Sequence, residues 1–253
     1  MGRYPIPLDY TWDIQIPSFD VGEDRKLRLS SQLRLQQEVG ERHFEQGGLG
    51  FEELMRHGLT FVITRTNSII YRAPQLSQAV RLTTWHRSSK GVQFFRCYNF
   101  YDQDGKPLIE SVSAFALVDP ETHKILRPSV FSQYAVTQQP DRLNHCPDPG
   151  KLSLPKDLQD AGGHKVGWSD IDYNGHLNNA VYADIITDAM PKQMRTRDIS
   201  GFSISFLNEA LEGEEIRLKT GIQQHDREDT AWISGDHTRG RCFDACIRFH
   251  PQA

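Results

Sequence analysis

The feature that most constrains this chain is a pattern that occurs twice along it, a helical stretch followed by a run of extended segments. In the first copy, residues 30–58 carry Leu33, Leu35, Val39, Phe44, Leu49, Phe51, Leu54 and Met55 as apolar positions, with Ser30 or Ser31 placed to cap the start. Gly47-Gly48 and Gly50 divide the stretch into a long helix and a short one. Residues 59–71, 79–86, 92–101 and 108–118 then read as strands, rich in β-branched and aromatic side chains, and Asp102-Gln103-Asp104-Gly105 is a hairpin turn. In the second copy, residues 178–194 place Val181, Tyr182, Ile185, Ile186 and Ala189 on one helical face. Strand-like segments follow at 199–206, 215–223, 230–235 and 242–249. A helix followed by an antiparallel meander is an α+β pattern, distinct from alternating βαβ units.

The copies align by hand with one gap. Phe19-Asp20-Val21 falls opposite Ser169-Asp170-Ile171, and Ser68-Ile69-Ile70-Tyr71 opposite Ser203-Ile204-Ser205-Phe206. Val80-Arg81-Leu82-Thr83-Thr84 falls opposite Ile216-Arg217-Leu218-Lys219-Thr220. A repeat of this length implies two similar domains, each with a four-stranded sheet able to join the other edge to edge. Between them, residues 119–167 are punctuated by Pro120, Pro128, Pro140, Pro147, Pro149 and Pro155 and read as a surface connector.

Composition narrows the class. The 253 residues are 38% hydrophobic and 25% charged with a net charge of -4, the balance of a globular core without the basic concentration that nucleic-acid binding needs. Met1-Gly2-Arg3-Tyr4-Pro5 has no apolar signal core, and Ile6 stands where a myristoylation signal takes Ser or Thr. No uncharged apolar run approaches the roughly 20 residues that cross a bilayer. A cytoplasmic location without membrane insertion is the expectation. Cys242 and Cys246 alternate with their neighbours as on a strand, about 13 Å apart at roughly 3.3 Å per residue, too far for a disulfide. Together with Cys97 and Cys146 they read as free thiols.

The densest polar segment is 168–182, which contains Asp170, Asp172, Asn174, His176, Asn178 and Asn179 where an extended stretch enters the second helix. Unpaired N–H groups and the helix dipole make such a place suited to polarising a carbonyl oxygen. Three readings compete. Asp, Asn and Gly cap helices, and each residue alone fits that role. Asp170-x-Asp172-x-Asn174-Gly175 matches the first half of a calcium loop, but the twelfth position, where a bidentate Glu belongs, is Val181. The third reading is a resemblance: Asp172-x-Asn174-x-His176-x-Asn178-Asn179-x-x-Tyr182 resembles the motif of plant and bacterial acyl-ACP thioesterases, and shorter versions occur in hotdog acyl-CoA thioesterases. It extends through Ile16-x-x-Phe19-Asp20-x-Gly22, Val62-Ile63-Thr64-Arg65 and Phe206-Leu207-Asn208-Glu209.

The resemblance implies two tandem hotdog domains, each a long helix against an antiparallel sheet. They would comprise an N-terminal domain at 1–125 with an acyl-chain pocket, a connector at 126–163 and a catalytic domain at 164–253. It implies hydrolysis of acyl-ACP thioesters with Asp172, Asn174, His176 and Glu209 as the catalytic set. Plant members commonly have Cys directly after the Glu; Ala210 stands there in this chain, which leaves direct attack by water or a carboxylate. Glu209 is then the general base for water or, as the lesser alternative, the nucleophile. His176 and Asn174 position water and stabilise the oxyanion, and Asp172 orients His176. The hand alignment sets Gly22, Asp24 and Lys26 opposite Asp172, Asn174 and His176, with Pro74 near Glu209, so the first copy lacks the chemistry. The implied partner is acyl carrier protein bearing an acyl-phosphopantetheine. No cofactor and no metal is called for, and a homodimer is optional. Competing functions are an acyl-CoA thioesterase of the hotdog class, a dehydratase of hydroxyacyl thioesters, and a non-catalytic acyl-thioester-binding protein.

Other residues read plainly. Trp12, Trp168 and Trp232 are expected as packing anchors, and His43, His57 and His145, without partners in the sequence pattern, as structural or exposed. The basic run Lys192-Gln-Met-Arg195-Thr-Arg197 is expected to complement a helix end in preference to docking an acidic partner.

Overall fold

A computed structural model describes residues 4–134, 136–224 and 228–251. The first half runs β1 (Asp9–Gln15), α1 (Leu29–Gln46), α2 (Phe51–Arg56), β2 (Thr60–Ile70), β3 (Ala79–Lys90), β4 (Gln93–Tyr101) and β5 (Pro107–Val118). A short β6 (Ile125–Leu126) and α3 (Pro128–Phe131) follow. The second half runs β7 (Gln159–Lys165), α4 (Asn179–Ala189), β8 (Ile199–Phe206), β9 (Glu215–Gln223), β10 (Thr230–His237) and β11 (Gly240–Phe249).

Among the described residues the strands form one antiparallel sheet in the order β1-β3-β4-β5-β2-β8-β11-β10-β9-β7, with β6 added beside β5. The order in one half repeats in the other. β2 and β8 close the sheet at the centre, Thr66 opposite Ile204 and Ser68 opposite Phe202, so neither half leaves its inner edge unpaired. Each half has five strands in this order where the sequence pattern showed four. The additional strands, β1 and β7, precede the helices, and their alternating partly exposed residues lack the dense apolar runs of the others.

Helices α1 and α4 lie against one face of the sheet in a single core, with Leu33 and Val39 from α1 and Ile185 and Ile186 from α4 packed with Leu82, Phe100, Ile204 and Ile247. Side chains as fully enclosed as Val39 and Ile186 each contribute about 1.5–3 kcal/mol of burial. On the opposite face the connector packs over strands of the first half, where Cys146 joins Trp85, Phe95, Cys97, Val112 and Ala114.

Helix α1 is not capped by Ser30 or Ser31. It starts at Leu29, its N-cap is Arg28 with no side-chain cap, and both serine hydroxyls are buried without a hydrogen-bond partner among the described residues. The turn before the helix accounts for this, because Arg28 N–H donates to Asp20 O at 3.0 Å and fixes the chain's entry by backbone alone. At the other end, α4 stops at Ala189 ahead of Pro191. Arg195 then donates to the carbonyls of Met190 (3.0 Å) and Asp188 (2.6 Å), the helix-end role expected for this basic run.

The three histidines without partners in the sequence pattern have them in the structure, mostly from distant segments. His43 lies between Pro7 O and Arg96, His57 contacts Tyr4 and Glu53, and His145 contacts Glu110. The four cysteines are buried and unbridged.

Candidate active site

The turn that leads into α4 is built by the backbone. Asp172 N–H donates to His176 O (2.9 Å), Gly175 N–H to Asp172 O (3.0 Å), Asn178 N–H to Asp170 O (2.9 Å) and Leu177 N–H to Ala210 O (2.8 Å). The turn leading into α1 repeats each bond: Gly22 to Lys26 at 2.9 Å, Arg25 to Gly22 at 3.0 Å, Arg28 to Asp20 at 3.0 Å and Leu27 to Pro74 at 2.8 Å. Gly22, Asp24 and Lys26 are therefore the counterparts of Asp172, Asn174 and His176. Pro74, however, matches Ala210, so the counterpart of Glu209 is Ala73, one residue from the position given by the hand alignment.

The last bond also explains how Glu209 reaches the turn. Holding Ala210 against Leu177 brings the adjacent Glu209 beside His176, whose Nε2 lies 3.1 Å from the Glu209 carboxylate. The two side chains are 38% and 43% exposed, open to an incoming substrate and to water. The acid beside His176 is thus Glu209, and the expectation that Asp172 orients His176 is corrected. The Asp172 carboxylate instead accepts the Asn174 N–H at 2.8 Å and fastens the turn.

Arg239, absent from the sequence reading, braces Glu209. Its guanidinium lies 3.7 Å from the Glu209 carboxylate, donates to the Glu209 carbonyl at 2.8 Å and holds both carboxylate oxygens of Glu214 at 2.9 Å. That pairing keeps the Glu214 carboxyl below its ordinary range. His237 Nε2 also lies 3.0 Å from the Glu209 carbonyl. Arg239 sits in the β10–β11 turn, some 30 residues from Glu209, and no local pattern marks it.

A cavity of about 180 Å³ opens beside the turn. Most of its apolar wall comes from the first half, including Leu33, Phe44, Leu54 and Phe61, while Asp172, Tyr173, Asn174, Asn179, Ala180 and Phe206 come from the second. Tyr173 joins the halves, donating its hydroxyl to Glu41 at 3.1 Å and meeting the Phe51 ring edge-on at 5.0 Å. Burial, with Glu41 adding to it, pushes the Tyr173 hydroxyl up to about 12. The four expected residues fall into two adjacent pairs, Asp172 and Asn174 against the cavity and His176 and Glu209 against each other. At the first turn of α4 the Asn178 side chain caps the Ala180 N–H, and Asn179 and Ala180 both face the cavity.

Cysteine nucleophiles find no support in this geometry. Burial pushes the Cys97 and Cys146 thiols up to about 12 and Cys242 up to about 11. Among the described residues, no group of three or more His, Cys, Asp or Glu side chains is arranged to hold a metal ion. Trp168, expected as a packing anchor, is 79% exposed beside the site. None of the described helices is long and apolar enough to cross a membrane.

The profile of the acyl-ACP thioesterase N-terminal domain matches residues 7–130, and that of the C-terminal domain matches residues 155–238. The chain belongs to the acyl-ACP thioesterase family. It is 24% identical over 227 residues to a chloroplastic acyl-[acyl-carrier-protein] hydrolase of Cuphea viscosissima, covering 85% of this chain and 55% of that protein. It is 24% identical over 249 residues to the chloroplastic oleoyl-acyl carrier protein thioesterase of Coriandrum sativum, covering 88% and 65%. The chain thus spans between about half and two-thirds of the length of these relatives. Among solved structures, the fold is similar to a 12:0-ACP thioesterase from Umbellularia californica, with TM-score 0.80, 20% identity, and 97% and 95% of the two chains covered. It is likewise similar to an acyl-ACP thioesterase from Bacteroides thetaiotaomicron, with TM-score 0.76, 20% identity, and 96% and 98% covered.

Proposed function

We propose that this chain hydrolyses the thioester of fatty acyl-ACP, releasing free fatty acid and ACP, at the turn between the cavity and the His176–Glu209 pair. The observation that carries the reading is that pair, 3.1 Å apart and open to solvent, beside a turn that also walls an apolar cavity. The acyl chain lies in the cavity, and the thioester carbonyl lies at the turn. Glu209 takes a proton from water as the water attacks that carbon, with His176 Nε2 holding the carboxylate in place. Asn174 and the first-turn N–H groups of α4 receive the oxyanion. Collapse of the tetrahedral intermediate breaks the C–S bond, and the phosphopantetheine thiolate takes the proton held by Glu209 and leaves as the thiol.

In this reading the two halves are tandem hotdog domains, the first supplying the acyl pocket and the second the reacting groups. In this reading β7, which begins at Gln159 and pairs with β9, is counted with the second domain, so the connector ends before it. The protein is taken to work in the cytoplasm with acyl carrier protein as its partner.

Free-thiol release from acyl-ACPs and from the matching acyl-CoAs tests the assignment. Turnover of acyl-ACP with higher kcat/KM than acyl-CoA is the expected result. Turnover confined to acyl-CoA transfers the assignment to that carrier, and tight acyl-ACP binding without thiol release makes the chain a binding protein.

A further inference from the structure

The cavity is not apolar throughout. Arg96 on β4 lines it and is only 4% exposed. Its guanidinium hydrogen-bonds three groups, His43 Nδ1 at 3.0 Å, Thr84 Oγ1 at 3.2 Å and His86 Nε2 at 2.8 Å, and lies over the Phe44 ring, 5.0 Å from its centroid. Among the described residues no carboxylate pairs with it. Burial, reinforced by Arg96 itself, brings His43 down to about 4 and His86 well below the usual imidazole range. Every contact of the guanidinium is therefore neutral at neutral pH, and its charge is enclosed without a counter-ion. Such an arrangement is costly unless something else supplies the missing partner.

A second observation points the same way. Gln36 on α1 also lines the cavity, is 3% exposed, and has neither its amide nitrogen nor its amide oxygen hydrogen-bonded among the described residues. One turn further along the same face, α1 carries Gly40. A Cβ at Gly40 would meet the Tyr98 hydroxyl at 3.4 Å and Arg96 Nε at 3.8 Å, so the missing side chain leaves Arg96 and Tyr98 in reach of the space beside the helix. A purely hydrocarbon chain lying there would satisfy none of these groups. A chain bearing an oxygen would accept from the guanidinium and from the Gln36 amide.

We propose that the acyl group this cavity takes carries an oxygen function away from the thioester, received by Arg96 and Gln36, so that the substrate class is oxygenated acyl chains (hydroxyacyl, oxoacyl or carboxyacyl). The inference rests on the thioesterase reading above and specifies the substrate of the same site. Arg96 and Gln36 are specificity residues in it, remote from the bond that breaks.

The test compares kcat/KM for thiol release from unsubstituted acyl-ACPs with that from hydroxyacyl-, oxoacyl- and carboxyacyl-ACPs of matched length, varying the oxygen's position, in wild type and Gln36→Leu. The Gln36→Leu change removes an unpartnered amide and breaks no hydrogen bond of the described fold, whereas an Arg96 variant disturbs three. The preferred oxygenated chain is expected to exceed its unsubstituted match by about tenfold or more, as a charge-assisted hydrogen bond supplies. Gln36→Leu is expected to reduce that ratio by about fivefold or more. Unsubstituted chains preferred at every length, or a ratio unmoved by Gln36→Leu, overturns the inference while leaving hydrolysis intact. If no acyl-ACP is turned over, the thioesterase reading fails separately. Calorimetric binding of acyl-pantetheine amides with and without the oxygen then decides the cavity's preference, and equal affinity rejects it.

Discussion

In the turn before α1, Gly22, Asp24 and Lys26 stand where Asp172, Asn174 and His176 stand before α4, and Ala73 stands where Glu209 does, inside matching sets of backbone hydrogen bonds. The first turn uses its side chains to tie the halves together. Lys26 forms ion pairs with Asp24 and with Asp198 of the second half, and the Asp24 carboxylate accepts the Lys26 N–H at 3.1 Å. The second turn leaves His176 and Glu209 facing each other in the open. Because the turn's geometry comes from main-chain groups, its side chains are free to diverge. In one copy the side chains form a structural clasp, and in the other they leave His176 and Glu209 facing each other.

On that division, the largest effect belongs to Glu209→Gln. It preserves size and the contact with His176 but removes the base, so kcat for thiol release should fall by about 10²–10⁴-fold, with circular dichroism and melting unchanged. Near-normal turnover would break the comparison, since Ala73 and Glu209 would then be equally dispensable.

Arg239→Met tests whether the second turn needs its brace. Losing the bonds to the Glu209 carbonyl and to Glu214 should lower kcat roughly tenfold, with partial recovery in Arg239→Lys, which keeps the charge and loses the fork. A fall in stability with kcat preserved would make Arg239 a purely structural residue.

The two turns also differ at one strained position. Gly175 adopts φ 81°, and its counterpart Arg25 adopts φ 61° with a full side chain. A Cβ at Gly175 would meet nothing within 4 Å, so Gly175→Ala carries only the backbone cost of about 1 kcal/mol, read as a lower urea midpoint. The reverse change, Arg25→Gly, relieves that strain but gains unfolded-chain entropy, and should stabilise by less than about 1 kcal/mol. A large loss from Arg25→Gly would mean that the Arg25 side chain holds the clasp, contrary to a turn set by its backbone.

The doubling of helix and meander was legible because periodicity is local: Val181, Tyr182, Ile185, Ile186 and Ala189 mark the face of α4 whatever surrounds it. The string from Asp172 to Tyr182 was legible for the same reason, its residues being neighbours on one turn and one helix start. At the start of α1 the serines are a statistical capping signal only, and the backbone bond from Arg28 to Asp20 supplies the entry in their place. The extra strands β1 and β7 were missed because edge strands with one exposed face carry few apolar residues. Arg96 is not legible in the sequence, since a lone arginine in an apolar strand has no pattern until its surroundings are known.

By itself, then, the sequence determined the repeated α+β units, the polar turn before the second helix and the identity of the residues on it, all of which depend on contacts a few residues apart. The tertiary structure alone decided that β2 and β8 join the halves, that the carboxylate of Glu209 and not that of Asp172 meets the His176 ring, that Arg239 braces Glu209, and that α1 of one half closes a cavity over the turn of the other. These are contacts between segments tens of residues apart, made through strand pairing and side-chain geometry that no local period encodes.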